Sequence, residues 1–194
     1  SYYHDYLSSL TLYQSDLFGV DDIVVTTEGT VLEGGALHDA DGSWSHLVDV
    51  ARTYDGWYRS LETSAGPSER SVSKSAVLGG IVFTPTFTPN TDVCGFGGDT
   101  NFYALYFETG TAYPKQILSI GNPSYVTVDV NPEEIVEGKL QNPISGAPPP
   151  SVGIHMGRQQ GARVYLQQST GQVVDLDVDT AFNLKSGLTS WREQ

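Results

Sequence analysis

The chain of 194 residues has one cysteine, one methionine and only ten lysines and arginines, and each shortage excludes something. A single cysteine cannot build a disulfide framework or a cysteine-rich metal site within the chain. Cys94 lies beside Gly95, Gly97 and Gly98 and between Asp92 and Asp99, where negative charge disfavours a thiolate, so nucleophilic catalysis is not expected of it. It reads as a buried free thiol, or else as the partner of a cysteine outside this sequence. With a net charge of −13, the few scattered cations cannot form a phosphate-tracking groove, which argues against nucleic acid and against anionic membranes. No apolar run approaches the roughly 18 residues of a membrane span, and SYYHDYLSSL lacks the basic start and apolar core of a signal peptide. The expectation is therefore mature or partial sequence, with no membrane span.

What the chain does have is apolar content, 39% hydrophobic with 11% aromatic, enough for a core. Its most informative stretch runs from Glu69 to Pro114. Gly79 and Gly80 separate two apolar runs, where a two-residue hairpin needs residues that tolerate positive φ. This predicts strands over Lys74–Leu78 and Ile81–Thr88, a third over Phe102–Phe107, and a turn at Glu108-Thr109-Gly110 from which TAYPKQIL returns as a hairpin partner. Four antiparallel strands in about 45 residues is the size of a propeller blade.

The order strand, Gly turn, strand, Thr-Gly turn, strand recurs in SVGIHMG, ARVYLQQ, Ser169-Thr170-Gly171 and QVVDLDV, and more faintly in DIVVTTEG and TVLEGG between Asp22 and Gly35. Repeated hairpins ending in Thr-Gly are the pattern of quinoprotein-like propellers, whose blades bury a core only by stacking. The fold expected is all-β, of antiparallel propeller-like blades, over residues 1–194 as a single segment. At about 40 to 45 residues per blade the chain holds at most roughly four blades, so an incomplete propeller is expected.

The segment GWYRSLETSAGPSERSVSKSAVLGGIVFTPTFTPNTDVCGFGGDTNFYALYFETGTAY resembles the C-terminal β-propeller domain of the PilY-type family of type IV pilus biogenesis factors and tip adhesins. The marks are Gly56-Trp57-Tyr58, Glu69-Arg70, the run Pro89-Asn90-Thr91-Asp92 before Cys94, and Tyr103-Ala104-Leu105-Tyr106. ARVYLQQSTGQVVDLDVDTAFNLKSGLTSWREQ is similar to the extreme C-terminus of such proteins, and the resemblance covers roughly Trp44 to Gln194. It implies an extracellular, cell-surface or pilus-associated protein in a much longer polypeptide. Its implied partners are the remaining blades or N-terminal part of that polypeptide, pilin or minor pilins, and a host or other surface ligand.

One segment departs from strand periodicity. Apolar residues at 44, 47, 48, 51 and 54 predict a short amphipathic helix over Ser43–Tyr54, with Asp41-Gly42-Ser43 supplying caps and Gly56 a stop. The Pro-rich run 142–150, NPISGAPPP, is expected to form an exposed loop within the domain, unable to join a ladder.

Candidate chemistry is thin. Asp39, Asp41 and Ser43 could offer oxygens to calcium, but Gly42 comes fourth where a calcium loop needs glycine sixth, so they read as a helix cap. Asp129, Asn131 and Glu133 fail at Glu134 and Leu140, and Asp175, Asp177 and Asp179 fail at Thr180 and read as the solvent face of a strand. Calcium, associated with the resembled family, finds no matching loop, and no cofactor is expected. His4, His38, His46 and His155 show no metal-ligand spacing on a shared element and read as satisfied or exposed. Gly95, Gly97 and Gly98 precede a strand, so they do not form a dinucleotide loop. Tyr2, Tyr6 and Tyr13, beside Tyr3, fit helical packing better than a binding face.

No catalytic, cofactor or metal residue is assigned, and the chain is expected to be a non-enzymatic binding protein of pilus biogenesis and tip adhesion. Two other classes remain open. A quinoprotein-like oxidoreductase would need a base and a stacking indole around a cofactor, a set not assembled by Trp44, Trp57, Trp191 and the acids. A structural subunit would polymerise through strand edges.

Overall fold

A computed structural model describes residues 12–39, 41–61, 66–91, 97–119, 126–127, 134–135, 139–145, 152–156, 162–167 and 173–182. Expectations for Tyr2, Tyr3, Tyr6, His4, Cys94, Gly95, Asp129, Asn131, Glu133, residues 146–150 and Trp191 lie outside the described residues. Among the described residues the structure is mostly antiparallel sheet with one short α-helix and no closed barrel: an all-β arrangement of partial propeller-like blades.

The first part holds β1 (Phe18–Gly19), β2 (Ile23–Val25), β3 (Val31–Glu33), β4 (Ala36–Leu37), helix α1 (Trp44–Ala51) and β5 (Trp57–Tyr58). β2, β3 and β4 form an antiparallel meander, as the weak echo at Asp22 to Gly35 predicts, and β5 lies parallel to β1. Ser43 caps α1 with its Oγ accepting from the His46 amide at 3.3 Å. The helix ends at Ala51, earlier than the predicted Tyr54, which lies half exposed beside Phe18. Leu47 and Ala51 on its inner face join Val20, Ile23, Val25 and Val31 in one apolar cluster.

The predicted central hairpin is present. β6 (Ala76–Leu78) and β7 (Ile81–Pro89) pair across Gly79 and Gly80, whose φ values of 54° and 82° put both in the left-handed region. Such a turn matches the twist of the flanking strands and excludes β-branched residues. β8 (Gly98–Tyr106) pairs along the whole length of β7, and Arg70 extends the other side of β7 by exchanging two backbone bonds with Phe87.

Two expectations fail after β8. The chain following Gly110 does not fold back on β8. The Gly110 amide donates to the Tyr106 carbonyl at 2.8 Å and the Tyr106 amide to the Thr111 carbonyl at 2.8 Å, closing the turn on itself. The chain then departs through Pro114 to β9 (Leu118–Ser119), which joins a different sheet. After the small antiparallel pair β10 (Val126–Thr127) and β11 (Glu134–Ile135), the free side of β8 is filled by β12 (Lys139–Ser145). Residues 142–145, expected in a loop, therefore belong to a strand. Pro143 is accommodated because β12 is an edge strand and its register breaks between Gln141 and Ser145.

The second sheet combines β9 with β13 (Gly153–Met156), β14 (Ala162–Gln167) and β15 (Val173–Val178), in the order β13-β14-β15-β9. Ala162, Val164, Leu166, Leu176 and Val178 face inward and meet Ile81, Phe83, Phe102 and Ala104 of the first sheet. Phe83 and Phe102 stack with centroids 5.9 Å apart, and both are fully buried. Complete burial of one such ring stabilises by about 1.5–3 kcal/mol. On the outer face Arg163 reaches Asp175 at 2.8 Å and Asp177 at 3.0 Å, as expected for alternating acids in solvent. At the end of β15, burial opposes ionisation of Asp179 but is outweighed by Lys115, 2.5 Å away, and by the Thr180 amide, which hold its carboxyl below the usual range.

Candidate functional site

The aromatic residues converge where the Thr-Gly turn, α1 and the end of the second sheet meet. Trp44 projects from the first turn of α1 and packs against both apolar clusters, edge-on to Tyr106 at 5.4 Å and to Tyr113 at 5.7 Å. Trp57, on β5, donates its indole N–H to the Phe107 carbonyl at 2.8 Å and covers Gly110, where an added Cβ would overlap the indole. Gly110, at φ 69°, is thus required twice, by backbone conformation and by contact. Under the turn the Thr109 and Thr111 hydroxyls, both buried, hydrogen-bond to each other at 2.8 Å.

Outside this seam lies an exposed pair. Phe107 is 43% exposed and Phe182 49%, their rings touch edge-on at 6.3 Å, and both lean on Tyr106. Phe182 is placed by its own amide and that of Ala181, which donate to the Gly79 carbonyl at 3.2 and 3.0 Å. Beside them Arg52, at the end of α1, donates through Nε to Glu108 at 2.9 Å. Burial pushes the Tyr106 phenol up and the Glu108 carboxylate adds to that shift, so the phenol stays protonated at neutral pH. Neutral, half-exposed rings rimmed by an ion pair are suited to contact, since they offer apolar area at small entropic cost.

A polar group stands at the other end of α1. His38 is buried, with Nδ1 3.0 Å from Glu33 Oε2, while Nε2 has no hydrogen-bond partner. Asp39 is the only described non-glycine residue at positive φ, 53°, and its Oδ2 lies 3.7 Å from His38 Nε2 and 3.3 Å from His46 Nε2. Ser43 Oγ donates to Asp41 at 2.5 Å, so no imidazole addresses the hydroxyl and no nucleophile–base pair forms here. His38 is buried and satisfied at Nδ1 alone, so the expectation of a satisfied or exposed histidine holds at one ring nitrogen and not at the other. His46 is half-buried, and the two histidines meet only because a bend at Asp39 turns the chain into the helix cap. The sequence signal was the position of His38 and His46 on either side of the helix start.

Other expected residues stay apart. His155 is exposed on β13, opposite Arg163. Tyr13, expected in a packed helix, is 65% exposed ahead of a single 3-10 turn at Gln14–Asp16. Gly98 lies within β8. Trp44 packs against both apolar clusters and Trp57 against the first. Sequence reasoning missed the role of Glu69, which is buried and accepts from the Thr86 hydroxyl and, at 3.2 Å, from the Tyr103 hydroxyl; the Arg59 guanidinium lies over the Tyr103 ring at 5.7 Å. Among the described residues no three His, Cys, Asp or Glu side chains are arranged to hold a metal ion, and no helix is long and apolar enough to cross a membrane.

No protein-family model matches the sequence, and no curated protein matches it. A solved structure does. The crystal structure of the Pseudomonas aeruginosa PilY1 C-terminal domain matches with a TM-score of 0.52 and 16% identity, over 87% of this chain and 33% of that one. The chain thus spans about a third of the length of its structural neighbour, and its fold is PilY1-like.

Proposed function

We propose that this chain is a pilus-associated, extracellular module of type IV pilus biogenesis or tip adhesion, acting by surface contact and not by turnover. The observation that carries the reading is the fold shared with the PilY1 C-terminal domain over 87% of the chain. The Phe107 and Phe182 face supports it, because two solvent-facing rings beside a hydrogen-bonded turn offer apolar contact area. Partners of this reading are pilin or minor pilins, the rest of a larger polypeptide, and a surface ligand.

The test uses a tagged copy in the producing cell. Pili are sheared from the cells, and the pilus fraction is probed for the tag with a cytoplasmic protein as control. The expected result is co-purification with pilins, and fewer surface pili or weaker adhesion when the gene is deleted. A tag confined to the cell interior, with piliation and adhesion unchanged on deletion, would overturn the reading.

A further inference from the structure

We infer that Glu33, His38, Asp39 and His46 form a proton-operated latch that fastens the β3–β4 turn to the start of α1 in mild acid. A neutral imidazole has one N–H and one lone pair, so His38 can donate to only one of the two carboxylates it faces. Donation from Nδ1 to Glu33 leaves the Nε2 lone pair turned toward Asp39 Oδ2, 3.7 Å away, and Nε2 is indeed buried without a partner. Acceptor facing acceptor in a site only 7% exposed is unfavourable. One proton converts both ring nitrogens to donors and supplies the missing half of the bridge.

Carboxylates stand on both sides of the ring. The titratable groups facing His38 are Glu33 from β3, Asp39 from its own loop and, across Asp39, His46 from α1. Asp41 is turned to Ser43, and β1 contributes only the uncharged Phe18 ring, 6.3 Å away and edge-on. Two carboxylates against two imidazoles balance when both rings are charged. Asp39 then bridges the buried ring to the helix. The sign follows: the folded state gains partners for the protonated ring, so the stabilisation is present on the acid side and lost as pH rises through the histidine range, about pH 5 to 8.

The test measures unfolding of the full chain between pH 8 and 5.5, wild type against Glu33→Gln with Asp39→Asn. Both carboxylates are more than half exposed, so the amide replacements leave the fold intact. On acidification the folded-to-unfolded ratio of the wild type is expected to rise about tenfold relative to the variant. The comparison removes the general gain from relieving net negative charge. Imidazole nitrogen NMR of the wild type is an independent readout, in which His38 is expected to show two N–H groups at pH 5.5. Parallel pH profiles for the two proteins, or a His38 ring that keeps a single N–H at pH 5.5, would overturn the latch.

Discussion

Individual residues carry the turns on which the sheets depend. At Gly80, φ is 82° and an added Cβ would lie 2.6 Å from Cε2 of Phe182, whereas Gly35, at φ 85°, has nothing within 4 Å. Valine at Gly35 meets only the left-handed backbone penalty, about 1–3 kcal/mol, while valine at Gly80 adds displacement of a ring tied to Tyr106 and Phe107. Gly80→Val is therefore expected to lower the melting temperature several degrees further than Gly35→Val, at about 2–4 °C per kcal/mol for a chain of this size. Equal melting temperatures in parallel thermal scans would contradict the hairpin assignment. The need for Gly79-Gly80 was legible in the sequence, since apolar runs flank it. The need for Gly110 against Trp57 was not, because it joins residues far apart in sequence.

At the scale of elements, the central hairpin and the helix start were legible locally, and distant pairings were not. Ser43 was visible as a cap because a small hydroxyl precedes apolar residues at helical spacing, and its bond to the His46 amide is present. Ser43→Ala is expected to cost about 1 kcal/mol, measured by denaturant unfolding with unchanged slope. The order β13, β14, β15 was legible from alternation and turn residues. What periodicity cannot encode is which strand completes a sheet: Leu140 faces Phe102 and Leu118 faces Val178 through backbone bonds, without sequence adjacency. Proline misled in the same way, since it forbids one ladder bond and not membership of an edge strand. The histidine group escaped notice because a positive φ at Asp39, not a spacing rule, closes it.

For the whole molecule, the two four-stranded sheets end, among the described residues, in β6 and β12 and in β13 and β9. β6 lies at the rim of the first sheet and Val77 on it is 64% exposed. A rim strand with an exposed β-branched residue invites another strand. Concentration-dependent association is expected in light scattering, and Val77→Lys should reduce it without lowering the unfolding free energy by more than about 0.5 kcal/mol. A monomer at all concentrations, wild type and variant alike, would mean that these edges are protected. The PilY1-like fold was legible through turn rhythm and local residue marks; which strands form its rims required the coordinates.

The exchange of outer strands between the two four-stranded sheets has a consequence for the order in which the molecule can form. The first sheet, begun at β6, lacks its rim until β12 has been synthesised, and by then β9 has already emerged and must wait for β15. Neither sheet is complete before the other is under way. Loops must close over long stretches before their pairings return any energy, which makes for slow, late-committing folding. During translation, at about 5–20 residues per second, the nascent chain spends seconds with apolar strands unpaired. The two sheets also share one apolar cluster, so the finished pair is expected to lose order together.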